Sequence, residues 1–244
     1  GEWYGPENAI LIVAGDITAE ELRPLAEDIY GAIAPKGDLT KRVWPEVQPL
    51  EESQTLTHTD PKVRQEDWGR YWQGTSYSLP DAGIDPYALD LAAQILGGGR
   101  TSRLYQTLAE EQKVAVDAYA WSWTTLKAGG PFALGVSPAR GVDLDEVGKA
   151  AQAVLDDFIE TGPTEEELAR AKSNLVASSI FERDSQASMA RLYGASRARG
   201  ESLESIMNWN DVMETVTAEQ VREVLAKYVK GQPSITTKLL EPES

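Results

Sequence analysis

The chain has 244 residues, with 23 basic and 39 acidic side chains and a formal net charge of −16. Its hydrophobic fraction of 41% and charged fraction of 25% are typical of a globular protein and exclude disordered or collagen-like chains. The negative field would repel a phosphate backbone and no apolar run approaches the ~20 residues of a membrane helix, so neither nucleic-acid binding nor membrane insertion is expected.

The first fifty residues are predicted to end one structural unit and lead into the next. The chain begins without Met or a signal peptide, and the apolar run at residues 9–14 predicts a buried strand. Thr18-Ala19-Glu20-Glu21 then forms a capping box that begins a helix ending near Gly31. Prolines 35, 45 and 49 interrupt any regular period, which indicates a linker. We therefore predict a tail of a preceding unit at residues 1–34, a linker at 35–50 and a second unit at 51–244.

A sequence pattern that occurs twice in the chain bears on this division into units. An aromatic residue, a Gly/Pro turn and a short strand follow one another at residues 4–13 and again at residues 228–239. Duplication of a structural unit would produce this repeated pattern. Any junction of helix, turn and strand would produce it as well.

The second unit begins with strands and continues with helices. Alternating patterns predict strands at residues 54–59 and 63–77 and a hairpin from residues 115–123 and 132–136. Helices are predicted from Asp85 to the Gly97-Gly98-Gly99 run and at the segments 101–111, 143–159, 164–183, 185–199, 203–214 and 217–228, with a last strand at 234–239. This order predicts an α+β fold with a mostly antiparallel sheet packed by several long helices.

A glycine-rich segment is the first candidate site. Gly97, Gly98 and Gly99 precede Arg103 where one helix ends and another begins, so backbone amides there could hold an anion. The segment follows a helix and lacks the Lys-Ser/Thr pair of a P-loop, which argues against nucleotide binding. The alternative is a helix C-cap and tight turn, with Arg103 paired to Glu110 or packed along its stem.

Aromatic residues form the second candidate site. Trp68, Tyr71, Trp72 and Tyr77 lie on one predicted strand, and Trp121 and Trp123 lie on another. Strand alternation puts Trp121 and Trp123 on one face. The whole cluster lines either a groove for an extended peptide or the core of the sheet, and we favour the core. Exposed edge strands nearby would let a peptide add as a further strand.

Metal and nucleophile chemistry is restricted by composition. The chain has no cysteine and one histidine, His58, so disulfides, cysteine nucleophiles and a zinc site with two histidines are excluded for this chain alone. No G-x-S-x-G elbow accompanies His58, which is predicted to be a surface residue. The absence of cysteine fits an envelope compartment as well as the cytosol.

Four groups of motifs, in order along nearly the whole chain, together carry a family resemblance. They are Trp3-Tyr4-Gly5-Pro6-Glu7-Asn8-Ala9 with Val13-Ala14-Gly15-Asp16-Ile17, Asp85-Pro86-Tyr87-Ala88-Leu89 with Ile95-Leu96-Gly97-Gly98-Gly99 and Ser102-Arg103-Leu104-Tyr105, Thr164-Glu165-Glu166-Glu167-Leu168 with Arg170-Ala171-Lys172, and Val216-Thr217-Ala218-Glu219-Gln220-Val221. The chain resembles the pitrilysin/insulinase-type zinc peptidases, most of all bacterial members similar to mitochondrial processing peptidase.

The resemblance implies that the protein family has two duplicated units with different functions. In the family, a His-x-x-Glu-His motif with a later Glu binds zinc in the first unit, and its central Glu is the general base. This chain resembles the end of that unit and the whole second, inactive unit. The helix at residues 86–91 corresponds to the zinc helix and has no histidine, so zinc is expected in the missing N-terminal unit and no catalytic or metal residue is expected here.

The resemblance also implies a role in substrate binding. The second unit closes a chamber over an extended peptide, and in many members the segment matching residues 130–142 supplies an Arg and a Tyr that orient the substrate carbonyl. Here Phe132 stands near the Arg position, no Tyr follows, and Arg140 is an uncertain substitute. Phe132, Arg140, Trp121 and Trp123 form the candidate substrate-binding set.

The partners that the resemblance implies are a peptide substrate, the N-terminal zinc-binding unit and, as in some bacterial relatives, a homologous partner subunit that could supply the missing pair. The bacterial periplasm or cell envelope is the favoured compartment. The alternative function is a catalytically inactive scaffold or helper subunit of the same fold.

Overall fold

The computed structural model describes residues 4–37 and 47–242. Residues 38–46, most of the predicted linker, lie outside the described residues. The strands are β1 (Gln54–Thr59), β2 (Asp67–Gln73), β3 (Ala115–Ser122), β4 (Pro131–Pro138) and β5 (Ser234–Leu240). The helices are α1 (Ala19–Tyr30), α2 (Asp85–Gly97), α3 (Arg103–Tyr105), α4 (Leu144–Thr161), α5 (Glu165–Arg183), α6 (Gln186–Arg199), α7 (Leu203–Met207), α8 (Trp209–Thr215) and α9 (Ala218–Tyr228).

The strands form one sheet in the order β1-β5-β2-β4-β3. The pairs β5–β2, β2–β4 and β4–β3 are antiparallel, and β1 runs parallel to β5. The prediction of an α+β fold with a mostly antiparallel sheet is confirmed. β5 lies inside the sheet because both β1 and β2 pair with it, although β1 and β2 are neighbours in the sequence.

Helices cover one face of the sheet. Trp68, Phe132, Leu134 and Val136 alternate onto this face and are at most 2% exposed. α2 packs against β3 and β4, and α4 packs against β2 and β4. Behind them, α9 contacts α2 and α4, whereas α5 and α8 pack on α2. The core is therefore a layer between one sheet face and the apolar sides of α2 and α4.

Three helix starts agree with their predicted caps. The hydroxyls of Thr18, Thr164 and Thr217 each accept a hydrogen bond from the backbone amide three residues later. In return, the backbone amide of each threonine donates to the Glu or Gln side chain at that later position. These capping boxes satisfy amides that the first helical turn leaves free. Local sequence alone therefore fixes where α1, α5 and α9 begin.

The predicted strand at residues 9–14 is wrong. These residues are extended but have no strand partner in the described part of the chain, and Ile10, Leu11 and Val13 are 53%, 50% and 46% exposed. A strand requires a neighbour to accept its backbone hydrogen bonds, and the sheet of this unit is built from other segments. The helix α1 that follows has no buried residue.

Two predicted helices have a different form in the structure. The predicted helix at 101–111 is a single α-turn, α3, continued by a π-helix at Gln106–Glu111. The predicted helix at 203–214 is broken at Asn208 into α7 and α8. In the part of the chain that the structure describes, no helix is both long and apolar enough to cross a membrane.

Candidate functional site

The sheet face opposite the helices carries an aromatic patch. Tyr71 on β2 stands opposite Ala133 on β4, which in turn stands opposite Trp121 on β3, so all three share this face. The rings of Tyr71 and Trp121 meet edge to face with centroids 6.0 Å apart, and Trp121 meets Trp123 at 6.3 Å. Trp123 is 51% exposed. We call this face the open face, and the group Tyr71, Tyr119, Trp121 and Trp123 the aromatic patch.

Small residues make room for these rings. Gly135 on β4 pairs with Tyr119, and a Cβ on Gly135 would overlap the Tyr119 ring. Gly69 lies beside the ring of Tyr71 in the same way. Because Gly135 and Gly69 have no side chain, the rings of Tyr119 and Tyr71 lie close against the strand backbone at these positions. The result is a flat aromatic surface and not a narrow cleft.

A carboxylate and a phenol meet beside the patch. Asp67 accepts a hydrogen bond from Ser137 at 3.2 Å and another from Tyr119. Burial raises the pKa of Asp67, and burial together with the nearby charge of Asp67 raises the pKa of Tyr119 to about 12. Tyr119 is therefore a neutral hydrogen-bond donor at physiological pH, and its ring is held in place by Asp67.

The glycine-rich turn, residues 97–102, connects α2 to α3. Gly98 caps α2, and Gly99 has φ +99° in the tight turn that follows. Arg103 donates to Glu167 through Nε at 2.6 Å and Nη2 at 2.8 Å, and Nη2 also reaches the Gly162 carbonyl at 3.0 Å. These hydrogen bonds lower the pKa of Glu167 to about 2. Arg103 thus ties the turn to the start of α5. Of the two predicted alternatives, pairing with Glu110 is wrong, whereas Arg103 does pack, with its guanidinium carbon 4.7 Å from the centroid of the Phe158 ring.

A partly buried carboxylate lies in the middle of α2. Asp90 accepts hydrogen bonds from Tyr77 at 2.6 Å, from Thr124 at 3.0 Å and from Ser122. Burial raises the pKa of Asp90 to about 6, against the opposing effect of the three hydroxyl donors. Asp90 borders a cavity of about 450 Å³ whose walls also include Tyr77, Tyr87 and Trp209.

Comparison with known families decides what kind of domain this is. The family model described as "Peptidase M16 inactive domain" matches residues 1–175 of the chain. The chain belongs to the peptidase M16 inactive-domain family. This confirms the predicted relationship to pitrilysin-type zinc peptidases, and the match includes the aromatic patch and the glycine-rich turn.

Relatives of the M16 domain extend beyond this chain. The zinc protease PqqE of Helicobacter pylori is 24% identical over 192 residues, which cover 78% of this chain and 42% of PqqE. A protease structure from Helicobacter pylori superposes with a TM-score of 0.83 at 18% identity, covering 94% of this chain and 54% of that one. An M16 inactive domain from Pseudomonas fluorescens gives 0.76 at 23% identity, covering 94% and 53%. The chain spans about half the length of these relatives.

Metal donors do not converge in the part of this M16 domain that the structure describes. The helix α2, which the resemblance aligns with the zinc helix, presents Pro86, Tyr87, Ala88, Leu89, Asp90 and Leu91, without a histidine. His58 lies on the exposed edge strand β1, and its Nε2 is 3.9 Å from Asp60. Among residues 4–37 and 47–242 no group of three His, Cys, Asp or Glu side chains could hold a metal ion.

The structure separates the four predicted substrate-binding residues. Trp121 and Trp123 lie together in the aromatic patch. Phe132 is fully buried on the helical face, so its ring is out of reach of a ligand on the open face. Arg140 is exposed in the turn after β4, two residues beyond the end of that strand at Pro138.

The predicted aromatic cluster is divided between two environments. Trp68 and Trp72 are in the core, at 2% and 4% exposure, whereas Tyr71, Trp121 and Trp123 lie on the open face. The preference for a core position is therefore right for the first two and wrong for Trp123, which is half exposed. Sequence reasoning missed Asp90 as a site residue. The available signal is that Asp90 is the lone charge within the mostly apolar helical segment Pro86–Leu96.

Proposed function

We propose that this chain is the non-catalytic half of a zinc-dependent peptidase, and that its open face forms one wall of a chamber that binds extended peptides. The observation that carries this proposal is the aromatic patch on a sheet face that no described helix covers. Trp and Tyr rings give large contact areas at low conformational entropy cost, so they suit substrates of varied sequence.

The sheet topology adds support. β1 and β3 are the two edges of the sheet, and all six residues of β1 are exposed. An extended peptide can pair its backbone with such an edge while its side chains reach the adjoining face. Trp121 and Trp123 lie on or next to β3, so a peptide added there would place alternate side chains over the patch.

The charge of the chain indicates which peptides would bind well. A net charge of −16 attracts cationic peptides over long range and raises their local concentration. We therefore propose basic peptides as the preferred substrate class. Trp121 and Trp123 are the proposed substrate contacts, and a carbonyl-orienting Arg and Tyr would come from the zinc-binding unit or from a homologous partner subunit.

Removal of one exposed ring tests the peptide-binding face. The change Trp123→Ala is expected to weaken binding of an unstructured basic peptide about tenfold, because a half-exposed indole at an interface contributes much of the contact energy. Fluorescence anisotropy of a labelled peptide measures the change. Thermal unfolding is expected to shift little, since the Trp123 side chain is outside the core.

The matched control is Phe181→Ala, which removes another exposed ring, 74% exposed on α5 on the helical side. Peptide affinity should be unchanged in this variant. Equal losses in Trp123→Ala and Phe181→Ala, or no loss in Trp123→Ala, would contradict a peptide site on the open face.

The division of the chain is also proposed. Residues 1–34 are the tail of the preceding unit, 35–50 a linker and 51–244 the second unit. In support, α1 has no buried residue although Leu25, Ile29 and Tyr30 give it an apolar face that is 52–63% exposed. Such a face is normally covered by a neighbouring element. We propose that the zinc-binding unit covers it.

Deletion of the tail tests this division. A variant that lacks residues 1–34 is expected to unfold cooperatively, with a Tm within about 3 °C of the full chain, because the core residues all lie beyond residue 67. Differential scanning calorimetry gives the comparison. The contacts that would be lost include Ile12 beside Gly194 of α6 and the hydrogen bond from the Gly37 amide to the Glu7 side chain. Loss of a cooperative transition would show that residues 1–34 belong to this unit.

A further inference from the structure

The cavity beside Asp90 lies on the helical side of the sheet, away from the open face. Its walls come from the loop after β2 and from α2, α5, α6, α7 and α8, and its volume is about 450 Å³. This is within the range of cavities that take small ligands or single side chains. We call it the helical cavity.

Aromatic rings form one wall of the helical cavity. Tyr77 and Tyr87 meet edge to face with centroids 4.8 Å apart, and Tyr87 lies 6.1 Å from Trp209. The Trp209 indole donates to the Tyr77 hydroxyl, which donates in turn to Asp90. This chain of hydrogen bonds fixes the Trp209 and Tyr77 rings, and Tyr87 packs against both, so the wall exists before any ligand binds.

Charged groups around the cavity are mostly paired. The carboxylates are Asp90, Glu182 and Glu201, and the guanidinium groups are Arg183 and Arg199. Arg199 is bound to Glu201 at 2.8 Å, and the Glu201 side chain is 8% exposed. Glu182 and Arg183 are exposed at the rim, where they offset each other. Asp90 is surrounded by neutral hydroxyl donors, so the interior has an excess of negative charge.

One hydroxyl at the cavity wall has no hydrogen-bond partner among the described residues. Tyr87 as a residue is 7% exposed, and its hydroxyl reaches the open space of the cavity and makes no hydrogen bond to the described residues. Burial raises the pKa of Tyr87, and the charges of Glu201 and Asp90 raise it further. The neutral hydroxyl is therefore free to accept a hydrogen bond from a ligand in the cavity.

We propose that the helical cavity binds an organic cation, the ammonium or guanidinium group of a basic side chain or a free amine, with Tyr87 accepting its hydrogen bond and the rings of Tyr87 and Trp209 contacting its methylenes and charge. Aromatic faces attract cations that have lost part of their water. Asp90 and Glu201 supply the opposing charge, and the Arg199 guanidinium, which would favour an anion, is already paired with Glu201 at 2.8 Å.

This inference is separate from the peptide role of the open face. The open face is proposed to bind an extended peptide, whereas the helical cavity is proposed to bind a single charged group. Failure of peptide binding to the aromatic patch would leave the cavity intact, and the two sites can be tested with different probes on the same full chain.

The test uses Nα-acetyl-lysine methylamide and its uncharged analogue, Nα-acetyl-norleucine methylamide, added to the full ¹⁵N-labelled chain. The Trp209 indole resonance is expected to shift in a saturable way with the lysine compound and to respond at least about fivefold more weakly to norleucine. n-Butylammonium forms a third arm. If n-butylammonium binds as tightly as the lysine compound, the ligand is a free amine. If n-butylammonium binds more weakly, the ligand is a basic side chain of a peptide.

Two variants connect the binding to the proposed groups. Tyr87→Phe keeps the ring and removes the hydroxyl, and it should weaken binding about threefold to tenfold. Glu201→Gln leaves Arg199 unpaired in the wall and should weaken it further. Asp211→Asn removes an exposed carboxylate on α8 outside the cavity and should leave affinity unchanged. Equal responses to lysine and norleucine, no saturable shift, or full affinity in both Tyr87→Phe and Glu201→Gln would overturn the proposal.

Discussion

Replacing Gly97 with alanine is expected to lower the free energy of unfolding by about 3 kcal/mol, because α2 lies directly on the backbone of β3 at this residue. A Cβ on Gly97 would overlap the backbone of Tyr119 and Ala120. The backbone of β3 is held to β4 by hydrogen bonds and cannot move aside as a flexible side chain can, so α2 would have to lift from the sheet. Urea denaturation followed by circular dichroism measures the loss.

Gly15→Ala is the matched control for this prediction. Nothing lies within 4 Å of a Cβ at Gly15, which is in an exposed bend before α1. The same change of side chain should therefore alter stability by no more than about 0.5 kcal/mol. A Gly97→Ala protein as stable as Gly15→Ala would mean that α2 does not approach β3 this closely in solution.

Replacing Asp90 with alanine is expected to cost about 3 kcal/mol of stability, because three hydroxyl donors lose their shared acceptor inside the protein. These donors are the side chains of Tyr77, Ser122 and Thr124. Asp211→Ala, at an exposed position on α8, serves as the control and should change stability by less than about 0.5 kcal/mol. A small effect of Asp90→Ala would show that the hydroxyls find other acceptors.

The same carboxyl should produce a dependence of stability on pH. The pKa of Asp90 is raised from 3.8 in the unfolded chain to about 6 in the folded protein, so the folded state binds the proton more tightly. This contribution to stability is complete below pH 3.8 and is lost as the pH rises through about 6. Relative to Asp90→Asn, the native chain should lose stability between about pH 4 and pH 7. A difference that is constant with pH would contradict the raised pKa.

Much of the fold follows from local sequence. The capping boxes at Thr18, Thr164 and Thr217 and the alternation along β3 and β4 are decided by contacts within a few residues, and the structure has these elements where the patterns put them. The apolar run at residues 9–14 has the same local character as a strand, but it lacks a partner in the described chain. Strand formation depends on a neighbour that no local pattern can supply.

The candidate site was only partly predictable, because it depends on which face each strand turns outward. Alternation correctly puts Trp121 and Trp123 on one side, but it does not say which side the helices cover. Arg103 likewise pairs with Glu167, which is 64 residues away in the sequence and closer in space than Glu110. The Asp90 network combines side chains from β3, α2 and two loops, so only the packed structure reveals it.

The interior position of β5 governs the order in which this sheet can assemble. β1 pairs only with β5 among the described strands, and β2 needs β5 to complete its second side. The partners Thr55 and Thr236 are about 180 residues apart in the sequence, so this closure is entropically costly and slow compared with the β3–β4 hairpin. A nascent chain that has not yet reached Ser234 therefore leaves β2 as an unprotected edge and β1 unpaired. During synthesis, that edge is the place where a chaperone would be needed or where a second chain could pair by mistake.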